Sequence, residues 1–415
     1  MANRDRVGIF GGPWDTGWTA RDGAVLGFED VFRTFSAADE AGEIKIMTTD
    51  FAIFRSQRRI ADFLDSCDVV YANCGPWAAL LHLVREREQL DVRIIREIRT
   101  IGWIGYIWQE EVAGRLERPG DQRIFPSHYA RDVWDAALPG LAPARVYYPM
   151  LESGGAPAAA RNTYSAGFFS VLSRDKGFDS LPGVVTRLQE FGHRIDRLVL
   201  AGQLTDPDLY CSVVNSLSAI GVDVDYRGGM PNPDVVELMA ECDVVLFLTR
   251  SSIESLGRVM VEASAQRVPL VTADFGAARD LIHADYRIPV DYSDHATGLC
   301  DSSFALGELA LDRWEPPAAL VADSCYLQPV SEYRADAQTV PEVLKTPSAP
   351  TPAEPPPLAF SFASDVDGLE LAERFLDAPD PGQTSPYSEL VDLGGTLKRY
   401  LLAQGYNPRV SFRPT

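Results

Sequence analysis

The stretch Arg250-Ser-Ser-Ile-Glu-Ser-Leu-Gly-Arg-Val-Met-Val-Glu-Ala-Ser-Ala-Gln-Arg-Val-Pro-Leu-Val-Thr272 decides how the chain is read. Two carboxylates, Glu254 and Glu262, stand eight positions apart in it. Ser255-Leu256-Gly257 between them reads as a tight loop, and Arg258 to Ala265 as the start of a helix. At roughly 3.6 residues per turn, Glu254 then lies ahead of the helix and Glu262 about a turn and a half into it. The unsatisfied N–H groups of a helix start form an anion site. Val268-Pro-Leu-Val271, which follows, reads as a buried strand. Acids flanking an anion site suit a ligand of sugar, phosphate and ribose, with hydroxyls on the acids and phosphate on the amides.

Outward from this stretch, β-rich runs alternate with helical patterns, which argues for α/β architecture with parallel sheets. The expected strands of the first half are Val7–Phe10, Ile44–Thr48, Val69–Asn73, Ile94–Ile98, Tyr106–Trp108, Ile124–Ser127 and Val146–Tyr148. A second series comprises Gly167–Leu172, Arg197–Ala201, Val222–Tyr226, Val244–Thr249 and Leu270–Ala273. Between the series lies a small-residue stretch, Glu152 to Arg161, which reads as a linker. Leu181, Val184, Val185 and Leu188 repeat at helical spacing after the cap Asp179-Ser180, and Val235, Leu238, Met239 and Cys242 do the same further on. These stripes are core. Pro341 to Pro357 is too rich in Pro, Ala, Thr and Ser to build a core and reads as extended or disordered. Helices are expected at Gly368–Leu376 and Tyr387–Leu402.

The pattern Ser251-x-x-Glu254-x-x-Gly257, Glu262-Ala263, Ala265-x-x-x-Pro269 resembles the E-x7-E signature of the retaining, nucleotide-sugar-dependent glycosyltransferases with the GT-B fold, the family 4-like group. The resemblance covers residues 165–290 well and the N-terminal half weakly. It implies two Rossmann-like domains whose parallel sheets face a central cleft. The expected division is 1–151 for the acceptor domain, 152–161 for the linker and 162–310 for the nucleotide-sugar domain. Residues 311–360 would be a Pro-rich connection and 361–415 helices returning to the N-terminal domain. Glu254 would hold donor-sugar hydroxyls and Glu262 the ribose, while Ser255, Leu256 and Gly257 form the donor loop.

In the family, a strand-to-helix junction carries an arginine and then Lys-Gly, both cations serving the diphosphate. Here that junction reads Ser170-Val-Leu-Ser-Arg-Asp-Lys-Gly-Phe-Asp179. Lys176 matches the lysine, Val171 stands where the arginine would be, and Arg174 is either its substitute or a solvated loop residue. Gly11 and Gly12, after the first strand, suit a loop that approaches the donor closely. Trp14 and Asp15 beside them are candidates for stacking on and binding a sugar, or else part of a tight turn. Gly229 and Met230 fit the place where backbone meets the nucleotide base, and nothing there separates uracil from guanine. Many relatives carry a histidine near the segment that here reads Ile104 to Glu111, which has none. Trp108, Glu110 and the later His128 are the acceptor-side candidates, with core or solvated roles as the alternatives.

Composition bounds these readings. The 415 residues carry a formal net charge of −21, with 38 basic against 59 acidic side chains. That argues against nucleic acid or anionic lipid as partners. No apolar run is long enough to span a bilayer, and the start of the chain lacks a signal-peptide core. The basic stretch Phe54 to Leu64 reads as an ordinary amphipathic helix. Six cysteines without C-x-x-C spacing and five scattered histidines suggest no metal site. The expectation is a cytoplasmic enzyme without cofactor or metal. It would move a hexosyl group from a UDP- or GDP-type sugar to a hydroxyl of a small soluble acceptor, in natural-product or glycan biosynthesis. The alternative is a degenerate GT-B protein that binds a nucleotide sugar or a partner without transfer. The sequence leaves the oligomeric state open.

Overall fold

A computed structural model of the chain describes residues 5–10, 23–138, 142, 144–146, 164–251, 254–290, 311–317, 358–377 and 393–414. The first sheet holds β1 (Arg6–Phe10), β2 (Lys45–Thr49), β3 (Val69–Ala72), β4 (Arg93–Glu97), β5 (Gln122–Phe125) and β6 (Ala144–Val146). Their order is β2-β1-β3-β4-β5-β6, and every pairing is parallel. Helices α1 (Gly23–Glu40), α2 (Gln57–Asp65), α3 (Ala78–Glu88), α4 (Ile104–Leu116) and α5 (His128–Ala137) make the connections. Parallel pairing requires such crossovers. With helices on the faces, the central strands read as continuous apolar runs, as Val69–Ala72 does, buried at all four positions.

The second sheet holds β7 (Tyr164–Phe169), β8 (Ile195–Ala201), β9 (Asp223–Tyr226), β10 (Val244–Phe247), β11 (Leu270–Ala273) and β12 (Arg287–Ile288). It too is wholly parallel, in the order β12-β11-β10-β7-β8-β9. The order reverses between β7 and β10, and in open α/β sheets ligands bind at such a switch point, beyond the strands' C-terminal ends. Helices α6 (Leu181–Glu190), α7 (Pro207–Ala219), α8 (Asn232–Ala240), α9 (Arg258–Ala265) and α10 (Ala278–Leu281) complete the crossovers. On α6 the side chains of Leu181, Val184, Val185 and Leu188 are all buried, so the 3.6-residue period lies on one core face.

Near the C-terminus, β13 (Leu358–Ala363) and β14 (Arg409–Pro414) form an antiparallel pair around α11 (Gly368–Asp377) and α12 (Leu393–Ala403). Helix α11 packs on α3 and α4, α12 packs on α4, and β13 lies along α5. Polar contacts fix the arrangement. Trp108 Nε1 donates to the Gly368 carbonyl at 2.9 Å, and Tyr406 Oη donates to Glu111 at 2.7 Å.

Three readings of the sequence are corrected. Tyr106–Trp108 is not a strand but part of α4. Nearly every side of that helix is covered, with Tyr106, Ile107, Trp108 and Val112 all buried. A helix without a polar stripe shows no 3.6-residue period, and a short apolar run of it imitates a strand. The strand expected at Ile124–Ser127 ends at Phe125, because Ser127 turns the chain and caps α5. The C-terminal region contains the β13–β14 pair as well as helices. The linker 152–161 and the Pro-rich segment 341–357 lie outside the described residues.

Buried thiols are held unreactive. Burial pushes Cys67 up to about 11 and Cys242 up to about 12, so neither is a thiolate nucleophile at neutral pH. Among the described residues no cluster of His, Cys, Asp and Glu could hold a metal ion. No described helix is long and apolar enough to cross a membrane.

Candidate active site

The loops after β7 and β10 meet at the C-terminal ends of these adjacent strands. The first runs from Ser170 to Gly177. Gly177 has φ +80°, and a Cβ there would sit 2.2 Å from the Leu248 carbonyl oxygen. Glycine therefore lets the lysine loop lie directly against the second loop. Arg250, with a side chain only 1% exposed, ties the two together. Its backbone N–H donates to the Asp175 carbonyl at 2.8 Å. Its guanidinium donates to Asp179 at 2.9 Å, Ser180 Oγ at 3.1 Å and the Arg174 carbonyl at 2.5 Å. A fork with five donors can hold that many partners in one plane.

Held this way, Lys176 Nζ meets Glu254 Oε2 at 2.5 Å. Both side chains keep about a fifth of their surface open, so a ligand can reach them. Beyond Glu254 the chain turns sharply. Gly257 has φ +85°, and a Cβ there would lie 2.3 Å from the Phe247 ring. Helix α9 starts at the next residue. It follows directly on the loop that carries Glu254, and a helix start leaves its first N–H groups without partners inside the helix. Glu262, 3% exposed, sits on the same helix. Its Oε1 accepts from Asn232 Nδ2 at 2.8 Å and from Arg258 Nε at 3.2 Å. A buried carboxylate needs such donors. Among the described residues no partner is recorded for Oε2. Leu256 is buried in the core shared by both sheets.

The N-terminal half reaches this loop. Ser127 Oγ donates to the Ser255 carbonyl at 2.5 Å, and Ser255 Oγ donates to the Arg99 carbonyl. His128 begins α5 beside Ser127 and is half-buried. Burial, and then the Arg131 charge, push its imidazole below the usual range, which favours the neutral form at pH 7.

The other sequence candidates fall in different places. Arg174 is turned to solvent, 62% exposed, with Asp179 at 3.6 Å. Val171 is an exposed apolar side chain. Gly229 is exposed, and Met230 beside it packs partly on the core. Trp108 is wholly buried under α11. Glu110 is wholly buried too and forms a two-point ion pair with Arg96, at 2.8 and 3.0 Å. Both side chains are occupied in the interior of the N-terminal half, so neither is available to an acceptor. Gly11, Gly12, Trp14 and Asp15 lie outside the described residues. Sequence reading missed Arg250, Asn232 and Arg258. Only Arg258 carried a signal, as a charge at the first position of the helix between the two glutamates.

Residues 158–295 match the family Glycosyl transferases group 1. This segment spans the whole second sheet and both loops just described. No curated protein sequence matches the chain. Among solved structures, the chain is similar to the Anabaena protein HepE in complex with UDP and glucose. The TM-score is 0.51 at 16% identity, covering 80% of this chain and 100% of that one. A glycosyltransferase from Rickettsia africae aligns at TM-score 0.48 and 12% identity, over 71% of this chain and 86% of that one. The pneumococcal O-GlcNAc transferase GtfA in complex with UDP and GlcNAc gives 0.44 and 15%, over 83% of this chain and 59% of that one. Residues 158–295 are thus similar to a glycosyl transferases group 1 domain, and the two six-stranded parallel sheets have the two-domain, Rossmann-like GT-B fold.

Proposed function

We propose that the protein is a retaining glycosyltransferase that moves a hexosyl group from a nucleotide-diphosphate sugar to a hydroxyl of a small acceptor. The observation that carries this reading is the 2.5 Å contact of Lys176 with Glu254, with buried Glu262 eight residues on, inside the segment that matches group 1 glycosyl transferases. Glu254 takes donor-sugar hydroxyls and Glu262 the ribose. Lys176 and the start of α9 take the diphosphate. In front-face displacement the bond from the anomeric carbon to the phosphate oxygen breaks. The acceptor oxygen bonds to that carbon on the same face, and its proton passes to the leaving phosphate. Such a step needs no protein base, and positive charge on the phosphates lowers its barrier without a metal. A UDP-type donor is the first choice, because the Anabaena structure holds UDP and glucose; GDP-type donors come next. We place the acceptor domain at 1–151 and the donor domain at 162–310, in a cytoplasmic setting. The −21 net charge favours a soluble acceptor over a polyanion or anionic lipid.

The test is donor consumption by the full chain across UDP-, GDP- and dTDP-sugars, with and without candidate acceptors. Lys176→Ala should cost about 100- to 1000-fold in kcat, the loss typical of one charge-stabilising group. Glu262→Ala should act mainly on donor KM. Rates near wild type in both variants would rule out these roles. A second reading, a binder without transfer, draws on the apolar Val171 and the solvent-turned Arg174. Tight donor binding with no turnover of any donor would establish it.

A further inference from the structure

The second sheet carries a cavity that the donor-binding reading does not use. It lies beside the turn that leads into β12, the edge strand, and has a volume of about 420 Å³. None of Lys176, Glu254 and Glu262 lines it. Strand β10, which leads to Glu254, lies two strands further in. Small-molecule sites span roughly 300 to 1,000 Å³ and favour the junctions between domains. This cavity is at such a junction. Tyr286 and Trp314, both half-buried, line it and pack on the core that the two halves share. Leu311 anchors the turn before Trp314 in the second sheet's own core. The two rings are therefore held in place by the fold. We propose that this cavity is a second carbohydrate site, which takes a neutral sugar.

The lining selects that class of ligand. His283, Asp285, Arg313 and Glu315 stand around the two rings. Arg313 and Glu315 flank Trp314 in the chain, are exposed, and have no recorded partner among the described residues. His283 Nδ1 lies 3.1 Å from Asp285 Oδ2, and both side chains are open to solvent. A sugar hydroxyl donates to a carboxylate and accepts from a guanidinium or an imidazole, so one neutral ligand can use all four groups. The C–H face of a sugar ring suits the negative face of an aromatic ring. Two carboxylates against one guanidinium disfavour a phosphate or another anion. Burying these charged groups under a wholly apolar molecule would leave them unpaired, which is costly. The inference uses none of the residues assigned to the donor and stands or falls apart from that assignment.

The experiment is titration calorimetry of the full chain with glucose, N-acetylglucosamine, maltose and cellobiose. Glucuronic acid and uridine serve as the anionic and the stacking controls. Wild type should bind at least one of the four neutral sugars, and better than either control. Trp314→Ala should weaken that binding about tenfold, and Trp314→Phe should recover most of it. The exposed double variant Arg313→Gln/Glu315→Gln should weaken it several-fold, and it carries the test if Trp314→Ala melts early. Lys176→Ala should leave sugar binding as it is, and UDP should bind the Trp314 variants as it binds wild type. No binding of any neutral sugar would overturn the proposal, as would binding that the Trp314 and Arg313/Glu315 variants leave unchanged. A sugar lost in Lys176→Ala but kept in Trp314→Ala would sit in the donor site and overturn it too. Tighter binding of glucuronic acid or uridine would make the ligand class wrong. Wild type that takes the sugar through Trp314 but does not bind UDP would remove the donor-binding reading and leave this one.

Discussion

A carboxylate facing a helix start is usually made more acidic by the helix field. Asp280 goes the other way. Its Oδ2 accepts from the Tyr129 N–H at 2.7 Å, near the start of α5. Burial outweighs that bond, and with Asp132 nearby it pushes the carboxyl up to about 6, against the lowering effect of Arg131 and Arg279. A folded pKa above the unfolded value of 3.8 means that the native state binds the proton more tightly. The stability it contributes is complete below about pH 4 and is lost as pH rises through about 6. Asp280→Asn keeps an acceptor for Tyr129 but removes the buried charge. It should therefore stabilise the protein at pH 7.5, by about 1–3 kcal/mol, and give almost no gain at pH 4. Melting curves at the two pH values check this, and an equal shift at both would contradict the burial account. Residues of this kind were invisible in the sequence. Glu254, Glu262 and Lys176 were legible because a local pattern flags them. Arg250 and Asp280 acquire meaning only when a distant loop or helix folds against them.

Elements followed the same division. Helices with one polar face, such as α6, could be read from their period, and so could strands bounded by turns. The helix α4 could not, since α3, α11 and α12 cover it and erase the stripe that marks a helix. The β13–β14 pair was also unreadable, because it joins Leu358–Ala363 to Arg409–Pro414 across two intervening helices. Long-range pairing leaves no local trace. Helix α5 shows how one element joins fold to site. Its cap Ser127 accepts from the Ala130 N–H at 3.0 Å and donates to the Ser255 carbonyl at 2.5 Å. Ser127→Ala removes both interactions. The lost cap should cost about 1 kcal/mol of stability. The freed Ser255 should loosen the loop that carries Glu254 and raise donor KM several-fold, while Ser127→Thr, which keeps the hydroxyl, should restore most of both. A donor KM in Ser127→Ala equal to wild type would break the link between α5 and the donor loop.

At the scale of the molecule, the site is fixed to both halves at once. Lys176 and Glu254 belong to the second sheet's loops and Glu262 to helix α9, yet Ser255 is bonded to Ser127 and to the Arg99 carbonyl of the first half. Asp280 reaches Tyr129 across the same seam. Tyr129, Leu256 and Ala277 share one buried core there. Separating the halves would break these bonds and expose that core, so it would also release the Glu254 loop. The position of the acid is then linked to the joining of the two halves. A ligand that holds Glu254 in place would favour the joined state by its differential affinity for it, and on the proposed donor-binding reading closure would keep water from the donor. The prediction is that saturating nucleotide diphosphate or donor makes the particle more compact and protects the 152–161 stretch from proteolysis. Small-angle scattering with and without ligand measures the first effect, and timed digestion the second. The link is tested most directly in Ser127→Ala. Without ligand this variant should be more expanded than wild type, and it should need more ligand to reach the compact state. Scattering profiles that do not change with ligand in either protein would show that closure is no part of how this site works.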